Sequence, residues 1–174
     1  EMCIRDRIRT PARTENNLSH TTGSLSGSVA ERIDFPEGHI IQAFTSTVSA
    51  ARTSNSTSFQ PSGLYATITP TSTSSKIVIQ YGGPQHANGN DCHMYTTIYR
   101  GTTHLGPSNE GLTLWSTGAS STGRWKNCSL IYTDSPNTTS ATTYEIWYRV
   151  NNSQGWFCYS TSYRVSMTVM EIKA

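Results

Sequence analysis

No stretch of this chain approaches the roughly 18 consecutive apolar residues that a membrane-spanning helix requires, and no apolar segment follows its first charges as a secretion signal would. Neither a membrane helix nor a secretion signal is visible, so any route out of the cell is expected to be lysis, a partner, or a part of the gene that is missing. Charge is also scarce, at 14% of 174 residues. The formal net charge of +2 reflects 13 basic and 11 acidic residues; setting aside residues 1–13, with four arginines against Glu1 and Asp6, leaves nine of each sign. A neutral body without a basic stripe cannot gather the phosphate contacts on which nucleic-acid affinity rests, which excludes that partner class. Catalytic signatures are missing too: there is no GxSxG, HExxH or P-loop. The few carboxylates (Asp91, Glu110, Asp134, Glu145, Glu171) are too dispersed for sequence to bring any glycosidase pair together. No enzyme activity, cofactor or metal is expected.

Four cysteines are present, none in a CxxC pair. Cys3 belongs to Glu1–Arg7, EMCIRDR, which resembles a translated sequencing-library adapter. On that resemblance residues 1–7 are artefactual, the natural N-terminus is missing, and Cys3 and the early arginines carry no function. Cys92, Cys128 and Cys158 remain, an odd number, and in a reducing compartment they read best as buried free thiols, with one disulfide as the rival. The five histidines are scattered, with no spacing that sets two ligands on one face, and adjacent Cys92 and His93 would point to opposite faces of a strand.

What the sequence does have is serine and threonine, about fifty in all, and short runs of period-2 texture. Residues 8–33 are small and polar and read as a linker or the end of a stalk. After the turn cluster Asp34–Gly38, residues 34–174 form the folded domain. Strands are expected at His39–Val48, Leu64–Ile68, Lys76–Tyr81, His93–Tyr99, Leu112–Trp115, Trp125–Tyr132, Thr143–Val150, Trp156–Tyr159 and Tyr163–Ile172, with a hairpin turn at Arg100–Thr103. Gly82-Gly83-Pro84 is expected to open a polar loop centred on QHANGND. No 3.6-residue period is long enough for a crossover helix, which leaves an all-β, antiparallel two-sheet β-sandwich, jelly-roll-like, with about 8–10 strands.

The aromatic residues carry the most functional information. Sugar rings present apolar faces that stack on indole and phenol, so rings near loops are glycan platforms, whereas rings within strands are more often core or interface. Trp115, before Ser116-Thr117-Gly118, and Trp156, after Asn151–Gly155, are ligand candidates, together with Tyr159. His86 and Asp91, on the polar loop, can hydrogen-bond a ligand; the alternative is a solvated loop. Trp147, inside a strand, reads as packing or interface. The five Asn-x-Ser/Thr sequons are chance matches in so Ser/Thr-rich a chain.

From about Gly38 to Ile172 the sequence resembles a C-terminal domain of marine phage tail-fibre and virion proteins. The resemblance rests on Gly63–Tyr65, Ile68-Thr69-Pro70 followed by Thr71–Ile77, Tyr99-Arg100-Gly101, Asp134-Ser135-Pro136 with Thr142-Thr143-Tyr144, and Thr168–Ile172. A weaker likeness, to the jelly-roll head of the complement globular head and tumour necrosis factor families, rests on Gly63–Tyr65, Tyr99–Gly101 and the last strand. The resemblance implies a virion protein: a homotrimeric distal tail-fibre domain, joined to other virion proteins on its N-terminal side, whose loops attach to a bacterial surface receptor, often a glycan. The alternatives are a head fibre or capsid decoration with a purely structural role, and a secreted carbohydrate-binding module or lectin.

Overall fold

The computed structural model describes residues 36–119 and 123–174. The adapter-like residues 1–7 and the linker read at 8–33 lie outside them. Eleven strands are formed: β1 (Ile40–Val48), β2 (Arg52–Ser54), β3 (Gln60–Ile68), β4 (Lys76–Asn88), β5 (His93–Arg100), β6 (Thr103–His104), β7 (Thr113–Ser116), β8 (Arg124–Asp134), β9 (Thr142–Val150), β10 (Gln154–Phe157) and β11 (Val165–Ile172). The number exceeds the sequence reading because β2 and β6, three and two residues long, are too short to show a period.

Alternation sets the faces. Leu64, Ala66 and Ile68 of β3 are buried while Tyr65 and Thr67 are exposed, and Val165, Met167 and Val169 of β11 point into the core as their spacing predicts. All pairing is antiparallel. One sheet, A, runs β1-β11-β4-β8; the other, B, runs β3-β9-β5-β7, with β6 beside the far end of β5. Along β1, β3, β4, β5, β7, β8, β9 and β11 the chain crosses between sheets at every step except β5 to β7, which is jelly-roll order, and the inward faces meet over Ile77, Ile79, Tyr81, Ile98, Tyr144 and Ile146.

The longest strand departs from the expectation. β4 does not stop at Tyr81 but continues for 13 residues to Asn88, so His86 lies in a strand rather than a polar loop. β8 pairs with β4 over Ile77–Ala87, while the opposite edge is shared: β11 covers Lys76–Gly82, and β10 covers Gln85–Asn88. Gly83 and Pro84 fall in the gap between those two partners, where a residue without an N–H forfeits no ladder bond on that edge. Gly83 is also required sterically, since a Cβ there would stand 2.8 Å from the Cα of Val165.

Two buried carboxylates flank Ile77 at the end of sheet A where β4 begins. Glu171 (β11) and Asp134 (β8) are its lateral partners. Asp134 accepts hydrogen bonds from Arg100 at 2.8 and 3.0 Å and from the Tyr144 hydroxyl at 2.8 Å, joining sheet A to sheet B. Glu171 is fully buried and accepts from the Thr71 amide and hydroxyl, both 2.7 Å, Ser75 Oγ (2.6 Å) and Gln42 Nε2 (2.5 Å). Burial pushes its carboxyl up, but the bonds from Ser75, Gln42 and Thr71 outweigh burial and hold it below the ordinary value.

Candidate functional site

The other end of sheet A carries aromatic rings on its outer face. Because β4 extends past Pro84, His86 stands directly between Trp125 of β8 and Trp156 of β10. The three rings form a row across three strands, with centroids 4.7 Å apart for His86–Trp125 and 4.8 Å for His86–Trp156. The segment between β10 and β11 folds over this row. Tyr159 lies 4.6 Å from Trp125, 5.0 Å from His86 and 5.6 Å from Trp156, and Tyr163 lies 5.2 Å from Trp125.

That segment is tied down from below. Cys158 is buried in a left-handed backbone conformation (φ 57°), and its thiol lies 3.4–3.7 Å from the carbonyls of Val48, Ser160 and Tyr163. The Tyr163 amide closes a turn on the Ser160 carbonyl at 3.1 Å. With Cys158 and Ser160 fixed, Tyr159 is directed outward onto the row. On the opposite flank Gly123 packs edge-on against His86: a Cβ there would come within 2.4 Å of Nε2, so only glycine permits the approach.

Exposure separates this cluster from ordinary core. Trp125, Tyr159 and Tyr163 are 45%, 41% and 43% exposed. Ring planes tilt by 42–74° to one another across the cluster, so the surface is cupped rather than flat. Beneath it His86 is buried, with Nδ1 meeting no hydrogen-bond partner, and burial lowers its pKa. The chemistry on offer is ring faces for C–H stacking, with indole N–H and phenol O–H groups for hydroxyls. Among the described residues no group of three His, Cys, Asp or Glu is placed to hold a metal.

Of the five candidates named from sequence, the fold brings three together: His86, Trp156 and Tyr159. Trp115 is corrected: it lies inward on β7, 9% exposed, and its indole N–H donates to Gln85 Oε1 at 2.8 Å. Gln85 in turn donates to Tyr81 and Thr96, so Trp115 belongs to a buried polar network and offers no free face. Asp91 is also separated from His86. It occupies the turn after β4 with φ 46°, and its backbone bonds to Gly118, Asn151 and Asn152 rather than to the ring cluster. Sequence reasoning missed Trp125 and Tyr163 as site residues. The spacing of Trp156, Tyr159 and Tyr163 within eight residues was a usable signal for the second, but Trp125 joins only through the register of β8 on β4.

Trp147, read as packing or interface, is half-buried on the outer face of sheet B, stacked on Tyr99 at 4.2 Å. Cys92, Cys128 and Cys158 are buried free thiols. Compared with known proteins, the chain matches no family model and no curated protein.

Proposed function

We propose that this domain is an adhesion module, the distal domain of a phage tail fibre, which holds a bacterial surface glycan against His86, Trp125, Trp156, Tyr159 and Tyr163. The observation that carries the reading is the gathering of three exposed large rings over buried His86 and half-buried Trp156 at one end of a sheet. Such a cup suits the apolar face of a pyranose, and shallow sites of this kind work by repetition.

The position of the cup also supports the reading. The strand β1 starts at Ile40, opposite Ile172, which pairs with Lys76 at the start of β4. His86 lies ten residues further along β4, roughly 30 Å away at strand rise. The folded chain is entered at one end and the rings stand at the other, as a fibre tip needs. Self-association as a trimer is part of the same proposal. Between the two ends the outer face of sheet A presents three uncharged rows: Ala43, Met170, Val78 and Thr133; Thr45, Thr168, Gln80 and Ile131; Thr47, Ser166, Gly82 and Ser129. A face without charge can meet its own copy without like-charge repulsion. In this proposal the protein folds in the host cytoplasm and functions on the virion, with other virion proteins joined through its N-terminal side.

The test is binding to whole cells and to a glycan array, with light scattering for mass. The expected outcome is a mass near three times the monomer and glycan binding that Trp125→Ala and Tyr159→Ala each reduce at least tenfold. A trimer that binds no glycan and no cell would move the domain to a purely structural decoration role, and a monomer that binds glycan would make it a lectin-like module.

A further inference from the structure

The outer face of sheet B holds a second recess, remote in character from the ring cup. Phe59, Tyr99 and Arg149 form its walls, and Ser58, Ser108 and Asn109 its rim, around a volume of about 460 Å³, within the range of small-ligand sites. Arg149, from β9, stands over the buried ring of Tyr95, with its guanidinium carbon 3.7 Å from the ring centre and 5.5 Å from that of Phe59. Its Nε and Nη2 both donate to the Asn109 carbonyl, which fixes the plane of the group. Among the described residues no carboxylate pairs with it, whereas Arg100 is paired with Asp134. The Nη1 hydrogens of Arg149 are therefore left for a ligand, on a cation already held in place.

Beside that cation stand the ring of Phe59 and the edge of Tyr99. Tyr99 is itself fixed between His104, stacked at 4.9 Å, and Trp147 at 4.2 Å, and Phe59 tilts against His104 at 5.1 Å. A preorganised guanidinium next to immobile rings, with Ser and Asn groups on the rim, fits a compact ligand that has one carboxylate, one apolar face and several hydroxyls. We infer that this recess binds an acidic sugar, a uronic acid residue, with its carboxylate on Arg149 and its ring against Phe59, while Tyr99, stacked on both faces, closes the wall with its edge. The site is independent of the ring cup on sheet A and does not require the tail-fibre reading.

The experiment is an NMR titration of the full chain with D-galacturonate, D-galactose and acetate, following the Arg149 Nε–H resonance and backbone amides of Phe59 and Tyr99. Saturable galacturonate binding is expected, at least tenfold tighter than galactose or acetate. Arg149→Gln should weaken galacturonate at least tenfold. Phe59→Ala, which leaves the Arg149–Asn109 bonds in place, should weaken galacturonate but not acetate. Trp125→Ala should change neither, which separates this site from the cup. Equal affinity for galactose, or an unchanged affinity in Arg149→Gln, would overturn the carboxylate contact. Acetate binding as tightly as galacturonate would overturn the sugar assignment, and no saturable shift at these residues would overturn the site.

Discussion

The two ends of sheet A use their side chains in opposite ways. Around Ile77, two carboxylates are buried and each is answered, Asp134 by Arg100 and Tyr144, Glu171 by Thr71, Ser75 and Gln42. Around His86, large rings stand in solvent and one buried ring nitrogen goes unmet, a defect that costs roughly 1–3 kcal/mol. A strand that satisfies every polar group at one end and leaves rings uncovered at the other divides its labour. The first end holds the two sheets together, and the second is free to make contacts the fold does not need.

If that division is right, substitutions should sort by end. The largest loss of stability is expected for Asp134→Ala, which leaves Arg100 and the Tyr144 hydroxyl without their partner. Chemical denaturation should read about 3 kcal/mol, at the lower end for a broken buried pair because Arg100 keeps some solvent. Glu171→Gln should cost about 2 kcal/mol in the same assay, since four donors then face a neutral amide that brings a clashing donor of its own. It should also flatten the acid limb. The Glu171 carboxyl is held below its ordinary value of 4.5, so its contribution is complete above that pH and is lost as pH falls through the folded value; the variant lacks this decline.

The aromatic end should respond more weakly and at a different pH. His86 has its pKa lowered by burial, so below the ordinary value of 6.5 the unfolded chain binds a proton that the folded chain refuses. Stability should therefore decline as pH falls from 6.5 toward the folded value. His104 is lowered in the same direction by burial, so His86→Phe should reduce that slope and the double variant with His104→Phe should abolish it, as thermal melts across pH 5–7 would read. The smallest stability effect belongs to Trp125→Ala, about 1 kcal/mol or less, because the ring is already 45% exposed. The same substitution should give the largest loss of glycan binding. A Trp125→Ala protein that melted far below the wild type would erase the distinction between the ends.

Much of this fold was legible from alternation alone. β3, β9 and β11 show their inward and outward faces in the sequence because burial on one face imposes a period of two. β4 was cut short because Gly82-Gly83-Pro84 has the local chemistry of a turn, and only the relay of partners from β11 to β10 explains why those residues sit in a strand. The site was legible by residue type but not by arrangement. His86, Trp156 and Tyr159 are marked by their chemistry and their neighbours. Trp115 sits near a loop in sequence but faces inward because its partner in β5 is Met94, a core residue. Trp125 meets His86 through register, a long-range property that no window of sequence contains.

The relay of partners along β4 has a further consequence for how the molecule opens. β10 and β2, with the segment that carries Tyr159, are attached to the sheet through Gln85–Asn88, whereas β1 and β11 are attached through Lys76–Gly82. No ladder bond on that edge links the two ladders across Gly83 and Pro84. The amides of β10 should thus exchange with solvent through an opening that leaves β11 zipped, at a lower free energy than global unfolding. Trp156 and Tyr159 then belong to a unit able to yield and reclose while the rest of the sandwich stays shut.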